Sequence, residues 1–274
     1  DLTLVDTIEG TGCIARDSIQ STGTDLLFLS TRGIMSLGRL IQEKSLPLND
    51  MSRNIRTDLL NYIAEEVQSN GHREAVKSVY SPIDAFYLLT LPESQVVYCF
   101  DVRAPLENGS FRVTTWSALN PIGFSMFSDD ALYMGHSEGI VKYGGYLDDN
   151  QKYQLRYFSN SNDFQSPANL KFLKKFNLTI IGGQATETTL NWGYDYTGDY
   201  TKQAFTFGAG NPAEYGIAEY NTTAEYTSSV VINTPKVNAS GNGTVLTVGI
   251  EAEINNSPFS IQKIDIHALI GRLI

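Results

Sequence analysis

The candidates for a metal site in this 274-residue chain are its three histidines, its two cysteines and one acidic loop. The histidines show neither the H-x-x-x-H nor the H-x-H spacing of zinc sites, and they stand at His72, His136 and His267. Two cysteines, Cys13 and Cys99, are too few for a four-thiolate site, and we expect two buried thiols rather than one bridge. The loop from Asp195 to Asp199 resembles a calcium loop but lacks a closing glutamate, which favours a turn. We therefore predict no metal and no cofactor.

Adjacent carboxylates could carry glycoside hydrolysis, which uses two of them on either side of the bond that breaks. The candidates are Asp129 with Asp130, Asp148 with Asp149, and Asp163. The first pair comes just before an apolar strand, and the second lies in a Leu-Asp-Asp-Asn turn, where aspartate accepts local backbone hydrogen bonds. No phosphate-binding P-loop occurs in the sequence. We therefore predict structural roles for these carboxylates, no catalytic residues and no enzyme.

The composition predicts a protein of many short strands joined by tight turns. Aromatic residues make up 11% of the chain, 23 glycines far outnumber 9 prolines, and charged residues make up only 18%. The 30 acidic side chains exceed the 20 basic ones and give a net charge of −10, which argues against a nucleic-acid binder of the basic-patch type. No apolar stretch approaches the ~18 residues of a membrane span, so we expect no membrane insertion.

A repeat in the first half of the chain predicts blades of a β-propeller. Each copy has an acidic residue, an apolar strand, a polar turn and a second strand, and the copies are Asp25–Gly38, Asp84–Asp101 and Asp130–Gly144. Their starts are 59 and 46 residues apart, and a propeller blade takes ~40–50 residues. Gly33 and Gly139 stand where a tight turn needs a positive φ angle, which glycine adopts without steric cost.

The longer first spacing contains the one convincing helix, a helical insertion at about 49–69. Apolar residues recur there on a 3.6-residue period, at Ile55, Leu59, Leu60, Ile63 and Val67. Asn49, Asp50 and Ser52 are candidate N-caps. Gly71 follows as a candidate stop signal. An amphipathic helix at this place predicts a structural cover for the blades, with a partner-binding helix as the alternative.

From about Tyr153 the sequence changes character and predicts a second, β-rich region. We expect propeller blades over 1–152, and final blades or a β-sandwich over 153–274. Apolar and polar residues alternate over 246–254 and again over 264–270, with a turn between them, which predicts a C-terminal hairpin. The predicted fold class is therefore all-β with a minor helical insertion, namely β-propeller blades plus a β-rich C-terminal region.

Charge is distributed unevenly over this second region. Residues 152–175 carry five basic side chains against one carboxylate, whereas residues 184–262 carry two lysines against eight carboxylates. The negative net charge of the whole chain is therefore the sum of a basic stretch and a neighbouring acidic stretch.

Several segments, taken in their order along the chain, resemble proteins of bacteriophage tails. They are Gly12–Ser18, Asp25–Ile34, Tyr98–Asp101, Trp116, Phe127, Leu132–Gly139, Pro167–Lys175 and the closing Ile264–Ile274. The first two match a GC-x-A-x-x-S strand that precedes a (D/N)-x-x-F-L-S-x-x-G hairpin, and Glu138 replaces the aspartate that is usual before Gly139. Over roughly residues 12–180 the chain resembles the tail nozzle protein, or tail tubular protein B, of short-tailed bacteriophages and the related packaged-DNA stabilisation proteins.

This resemblance implies a structural virion protein at the distal end of the phage tail. Proteins of this family form a homo-oligomeric ring, expected to be a hexamer, that meets the tail adaptor, the portal and the tail fibre proteins. The ring retains packaged double-stranded DNA and conducts it during ejection. Full-length members are much longer, so we expect this chain to be a C-terminal part in which Asp1 is an internal residue. Since a conduit must not hold DNA tightly, an acidic lumen fits, and the net charge of −10 agrees with it.

The nozzle hypothesis predicts that the basic stretch and the helix of 55–67 lie on surfaces that face other proteins. The predicted partner-interface residues are Lys152, Arg156, Lys171, Lys174 and Lys175. The alternative is a secreted carbohydrate-binding or glycosidase β-propeller, with a pocket at Trp116 or Trp192. Its two acids would be Asp148 and Asp149. A propeller that serves as an interaction scaffold for another partner is a third hypothesis.

Overall fold

The structure is a computed structural model, and it describes residues 11–42, 50–117, 119–127, 130–182, 186–207 and 231–273. Asn49, a candidate N-cap, and Asp129, one of the paired carboxylates, lie outside these residues. The chain divides into two compact units, 1–144 and 145–274, and the predicted boundary after residue 152 lies inside the second. The sheets are antiparallel and the helices few, which confirms the all-β class.

The first unit contains three antiparallel sheets, each made of consecutive strands. The first sheet consists of β1 (Gln20–Ser21), β2 (Leu26–Ser30) and β3 (Gly33–Ser36). The middle sheet consists of β4 (Lys77–Ser81), β5 (Phe86–Leu91), β6 (Val96–Asp101) and β7 (Arg112–Trp116). The third sheet consists of β8 (Gly123–Met126), β9 (Leu132–His136) and β10 (Gly139–Lys142). The pairs β2–β3, β5–β6 and β9–β10 are the hairpins that the sequence repeat predicts.

The middle sheet carries apolar side chains on both of its faces. Along β5, Tyr87 and Leu89 point to one side and Phe86 and Leu88 to the other, and all four are buried. The first side packs on the first sheet, and the second side packs on the third sheet. The Tyr87 hydroxyl donates a hydrogen bond of 2.8 Å to the Ser18 carbonyl, and burial raises the pKa of this phenol. Two separate cores therefore share this one sheet.

A helical segment covers the core between the first and middle sheets. After the short helix α1 (Leu37–Gln42), a 3-10 turn at Arg53–Ile55 leads through α2 (Arg56–Tyr62) into a π-helix at Ile63–Ser69. Leu59, Ile63 and Val67 are buried in this core, which confirms the predicted apolar stripe. Gly71 follows with a φ angle of +72°, at the place predicted for the stop. The segment acts as a structural cover, because its apolar face is buried within the unit.

Ser52 and Asp50 fasten this segment to the first sheet instead of capping a helix. Ser52 precedes the 3-10 turn but makes no side-chain capping hydrogen bond. Its hydroxyl accepts a hydrogen bond of 3.0 Å from the Ile34 N–H and donates one of 3.1 Å to Asp50. Gly33, whose φ angle is +123°, lies beneath it, and a Cβ atom there would collide with the Ser52 hydroxyl. Gly139 has a φ angle of +155°, so both repeat glycines have the predicted positive φ.

One buried carboxylate joins the helical segment to the middle sheet. Glu66 is 1% exposed, and its side chain accepts hydrogen bonds from the N–H groups of Glu93 and Ser94 at 3.2 Å and 3.3 Å. The Ser94 hydroxyl donates a third hydrogen bond of 2.9 Å. All three donors belong to the turn between β5 and β6, so a single side chain satisfies three polar groups of that turn. A buried charge is tolerated in a protein only with partners of this kind.

The second unit is a β-sandwich of two sheets. Sheet I has the strand order β11 (Tyr153–Phe158), β18 (Leu246–Ile254), β13 (Thr186–Tyr194) and β14 (Thr201–Phe207). Sheet II is centred on β12 (Asn169–Gly182), with β19 (Phe259–Leu273) on one side and β15 (Val231–Asn233), β16 (Lys236–Asn238) and β17 (Asn242–Gly243) on the other. The core between the sheets includes Phe176, Leu190, Trp192, Val248 and Ile250.

The predicted C-terminal hairpin is wrong. Both strands exist, but β18 pairs with β11 and β13 in sheet I, whereas β19 pairs with β12 in sheet II. The connection at 255–258 therefore crosses from one layer of the sandwich to the other. Alternation of apolar and polar residues shows which face of a strand is buried, but it does not show which strand lies beside it.

The two cysteines are free thiols, and one of them departs from the expectation of burial. Cys13 is exposed, at the edge of the first sheet, where it forms an isolated bridge with Ser30. Cys99 lies on β6 and is half-buried, and burial raises the pKa of its thiol to about 11.

We expect Glu66→Ala to lower the free energy of unfolding by about 2–4 kcal/mol, because three donors lose a charged acceptor. Glu65→Ala, at the exposed neighbouring position, is the matched control and should change it by less than about 0.5 kcal/mol. Urea denaturation followed by circular dichroism measures both. Equal stability of the two variants would contradict the role given to the buried carboxylate.

Candidate partner interface

The five basic residues predicted as a partner interface do not form one surface. Lys152 and Arg156 lie at β11 in sheet I, whereas Lys171, Lys174 and Lys175 lie on β12 in sheet II. Because the two sheets are opposite layers of the sandwich, a stretch that is continuous in sequence is divided between them.

On sheet I the basic side chains stand beside carboxylates. The Lys152 Nζ atom lies 2.9 Å from a carboxylate oxygen of Glu253, and Arg156 lies directly opposite Glu251 in the pairing of β11 with β18. Cross-strand pairs of opposite charge stabilise a sheet modestly. These two basic residues therefore leave little net positive charge for a partner.

Lys171 is buried, with only 3% of the residue exposed. Its ammonium donates hydrogen bonds to the carbonyls of Ser166 and Thr244. Nearby, the Asp195 carboxylate accepts hydrogen bonds from the Thr244 hydroxyl at 2.6 Å and from the N–H groups of Thr244 and Val245 at 2.8 Å and 3.0 Å. These hydrogen bonds, with the charge of Lys171, hold the pKa of Asp195 below its ordinary value. Lys171 thus closes one end of the sandwich and is not available to a partner.

A β-bulge in β12 explains why neighbouring lysines point in different directions. The pairing with β19 shifts between Leu173 and Lys175, and Lys175 stands opposite His267. Lys174 is the extra residue of the bulge and is exposed. Since side chains alternate along a strand, Lys171 and Leu173 point into the sandwich, and the bulge leaves Lys175 pointing out of it.

Lys175 joins basic side chains of neighbouring strands on the outer face of sheet II, the face turned away from the core. The members of this basic face are Lys174, Lys175, Lys236, Lys263 and His267. Asp265 is the carboxylate among them, and it lies 2.9 Å from the Lys263 Nζ atom. The Asn177 Nδ2 atom lies 2.7 Å from Nε2 of His267 and holds the imidazole between the lysines. The face combines four lysines with one carboxylate, in contrast to the acidic balance of the chain.

Sequence reasoning finds two of these five residues, Lys174 and Lys175. A signal for two more exists, because the alternation in the last strand sets Lys263 and His267 on the same polar face. The hairpin prediction assigns that strand to the wrong neighbour, so it separates these residues from β12. Lys236 has no such signal, since it stands in the acidic stretch of the sequence.

Apolar side chains flank the basic face at both ends. Phe172 and Leu269 stand opposite each other at one end, and Ile181 and Ile232 do so at the other. Leu269 is 60% exposed and Ile232 is 66% exposed. Apolar ends around a charged middle suit a protein partner, because buried apolar area drives association and charge sets its orientation.

The third sheet of the first unit presents a second exposed apolar surface. Met134 packs against the middle sheet, so its neighbour Tyr133 points to the outer face. Ile122, Phe127 and Ile140 are also exposed, Ile140 to 79%. The rings of Phe127 and Tyr133 meet edge to face with centroids 4.7 Å apart. Contiguous apolar surfaces of this kind mark contact sites in proteins.

The tryptophans named for a carbohydrate pocket have structural roles. Trp192 is buried in the core of the sandwich, and its indole N–H donates a hydrogen bond of 3.0 Å to the Ser240 carbonyl. Trp116 stacks on Tyr143 with ring planes 5° apart and centroids 5.9 Å apart. Trp192 is therefore not a pocket residue.

Asp149 lies in the turn predicted for it, and the other candidate carboxylates among the described residues lie beside turns. Asp130 and Asp149 have positive φ angles, of +56° and +43°. Asp163 accepts a hydrogen bond of 2.9 Å from the Gln165 N–H. Asp195 also has a positive φ angle, in the turn predicted there. Over the residues that the structure describes, no group of three metal-ligating side chains could hold an ion, and no helix has the length and apolar character to cross a membrane.

Comparisons with known proteins add little to this geometry. No family model matches the chain, and no curated protein matches it. Among solved structures, it is similar to a Cry1Da tryptic core variant of Bacillus thuringiensis, with 10% sequence identity and a TM-score of 0.23. The match covers 93% of this chain and 42% of that one, so the chain spans less than half the length of that protein. A TM-score of 0.23 is too low to indicate a shared fold.

We expect Lys171→Ala to destabilise the second unit by about 2–3 kcal/mol, because two buried carbonyls lose a charged donor. Lys174→Ala, three residues along the same strand and exposed, is the control and should be nearly neutral. Thermal unfolding followed by near-ultraviolet circular dichroism compares them. A neutral Lys171→Ala would mean that the ammonium does not hold the end of the sandwich.

The lowered pKa of Asp195 predicts an acid-sensitive stability. Because the pKa is lower in the folded state than in the unfolded state, the stabilisation is complete above the ordinary carboxyl pKa and is lost as the pH falls below it. We expect Asp195→Asn to be less stable than the wild type at neutral pH, with the difference shrinking towards pH ~3. Denaturant titrations across this pH range measure the difference. A constant difference would contradict the assignment.

Proposed function

We propose that this chain is a structural protein of a bacteriophage tail nozzle, in a ring that retains packaged DNA and conducts it during ejection. The proposal rests on the resemblance of roughly residues 12–180 to nozzle proteins, and on two exposed surfaces suited to protein contacts. These surfaces are the basic face of sheet II and the outer face of the third sheet. The chain would then belong to the virion, at the distal end of the tail.

The observation that carries the proposal is the stack of three antiparallel sheets in the first unit. The residues of the resemblance form its hairpins, since Asp25–Ile34 lies in β2 and β3 and Leu132–Gly139 lies in β9 and β10. A β-propeller repeats such sheets around an axis. The apolar outer face of the third sheet supports a further blade at that position, because a sheet with two apolar faces needs a cover on each.

A ring would form through contacts between two different surfaces of neighbouring copies. Such heterologous contacts generate closed rings when the rotation between copies closes. The chain has a net charge of −10, and its basic face has four lysines against one carboxylate, so a second copy offers a surface of complementary charge. We infer that the basic face meets an acidic surface of the next copy, in a ring expected to be hexameric. The adaptor, portal and tail fibre proteins would meet other surfaces.

The passage of double-stranded DNA favours the same assignment. Lysines that neutralise phosphates release counterions and hold the duplex, and that would oppose sliding. The basic face would therefore be covered by protein in the ring, and the acidic surfaces would line the path of the DNA. The apolar ends of the basic face agree with this, since a phosphate backbone would leave them uncovered.

Reversal of charge on the basic face tests the proposal. We expect the Lys175→Glu, Lys236→Glu double variant to weaken self-association by at least about tenfold, because two attractions become repulsions. The matched control is Lys152→Glu with Arg156→Glu, which makes the same charge change on sheet I and should leave assembly unaltered. Analytical ultracentrifugation of the full chain at low and high salt measures the association constant.

Two outcomes would contradict the proposal. A wild-type chain that remains monomeric at low salt and high concentration would contradict assembly into a ring. Tight binding of a double-stranded DNA fragment that is lost in the Lys175→Glu, Lys236→Glu variant would assign the basic face to DNA and would oppose a conduit role.

A further inference from the structure

A buried polar side chain on sheet I has no hydrogen-bond partner. Asn191 is 0% exposed, and neither its Oδ1 nor its Nδ2 atom is paired with any described group. Its neighbours Leu190 and Trp192 point into the core, so the Asn191 amide points to the outer face of sheet I. A buried amide that forms no hydrogen bond costs stability, so this position calls for an explanation.

Two aromatic rings stand over the backbone beside this amide. Gly249 is directly opposite Asn191, and the ring of Phe158 fills the space that a side chain at Gly249 would need. Tyr200 does the same over Gly193, where a Cβ atom would lie 3.1 Å from the Tyr200 ring. The two rings meet with centroids 5.2 Å apart, and Phe158 and Tyr200 are 41% and 37% exposed. The glycines thus form a floor on which exposed aromatic surface lies next to the amide.

The same strip continues into a cleft at the end of the sheet. Gly193 stands opposite Thr247, whose hydroxyl lies 2.9 Å from the Ser161 hydroxyl. Ser161 lines a cleft of about 300 Å³, and the other lining residues are Asn162, Asp163, Pro167, Tyr196 and Val245. Tyr196 is 78% exposed and has a φ angle of +59°, a left-handed conformation that is uncommon for tyrosine. The cleft therefore has an exposed aromatic side chain at its edge and hydroxyl and amide groups on its wall.

These groups together indicate the chemical class of the ligand. Aromatic faces bind apolar C–H surface, while an amide with one acceptor and two donors pairs with adjacent hydroxyl groups. Formal charges beside the strip balance in sign, with Lys202 opposite Asn191, Arg156 opposite Glu251 two residues further along the sheet, and Asp163 at the cleft. A molecule with apolar C–H faces, many hydroxyl groups and no net charge is a sugar.

We propose that this strip binds a neutral carbohydrate, with sugar rings against Tyr196 and Tyr200 and a hydroxyl group on the Asn191 amide. Since Asn191 is 0% exposed, the partly exposed Tyr200 ring over Gly193 would have to turn aside to admit the hydroxyl group. No covalent step is involved, and the site is independent of the basic face and of the assembly proposed above.

The test titrates the full 274-residue chain with short neutral oligosaccharides of glucose, galactose, mannose and N-acetylglucosamine. Saturation-transfer NMR identifies which of them binds, and calorimetry measures its affinity. We expect Tyr196→Ala to weaken the binding by about tenfold or more, because it removes the most exposed ring. Tyr157→Ala is the matched control, since Tyr157 is 51% exposed on β11 but alternates to the other side of the strand from Phe158. It should leave the affinity unchanged.

The Asn191 side-chain amide provides a readout that needs no variant. Its NMR signals should shift on titration, since the amide gains its first hydrogen-bond partners. The proposal is overturned if no oligosaccharide of this panel binds at about 10 mM, or if binding occurs with unchanged affinity in Tyr196→Ala and with unmoved Asn191 signals. Failure here would leave the ultracentrifugation result untouched, and a monomeric chain would leave sugar binding untouched.

Discussion

The first unit depends on one constraint, namely that its middle sheet is apolar on both faces. Such a sheet is stable only when water is removed from each face. The first sheet and the helical segment cover one face, and the third sheet covers the other. The third sheet has the same need for a cover, because its apolar outer face is exposed among the described residues. Stacking of this kind continues until a sheet with a polar face or a neighbouring molecule ends it.

The second unit depends on a different device, the bulge at Lys174 in its central strand. A strict alternation would place every second side chain of β12 in the core from end to end. The extra residue shifts the alternation of side chains by one position. Lys171 therefore points into the sandwich, whereas Lys175 points to the outer face. One strand thereby supplies a buried cation that closes the sandwich and an exposed cation that suits a partner. Bulges are common where the side chains of a strand must change the direction in which they point.

Local pattern was a good guide wherever the structure is local. The three hairpins, the stripe of Leu59, Ile63 and Val67 and the turn glycines follow from neighbours in sequence, and all are present. The failures concern partners distant in sequence. Nothing in the alternation of β18 and β19 indicates that they belong to different sheets. The basic face of sheet II could be predicted only in part for the same reason, since Lys236 and Lys263 reach Lys175 only through strand pairing. Asn191 carries no sequence signal, because the residues beside it in the sheet, Lys202 and Gly249, come from other strands.

The pairing of β12 with β19 has a consequence for how the chain is made. This ladder joins residues as far apart as Asn169 and Leu273, whereas each sheet of the first unit is assembled from consecutive strands. During synthesis the first unit has its pairing partners early, but β12 leaves the ribosome long before the strand that completes its sheet. Contacts of such long range form slowly, and an apolar strand is prone to aggregate until its partner strand pairs with it. The lysines of β12 carry charge that helps to keep the strand in solution until β19 pairs with it.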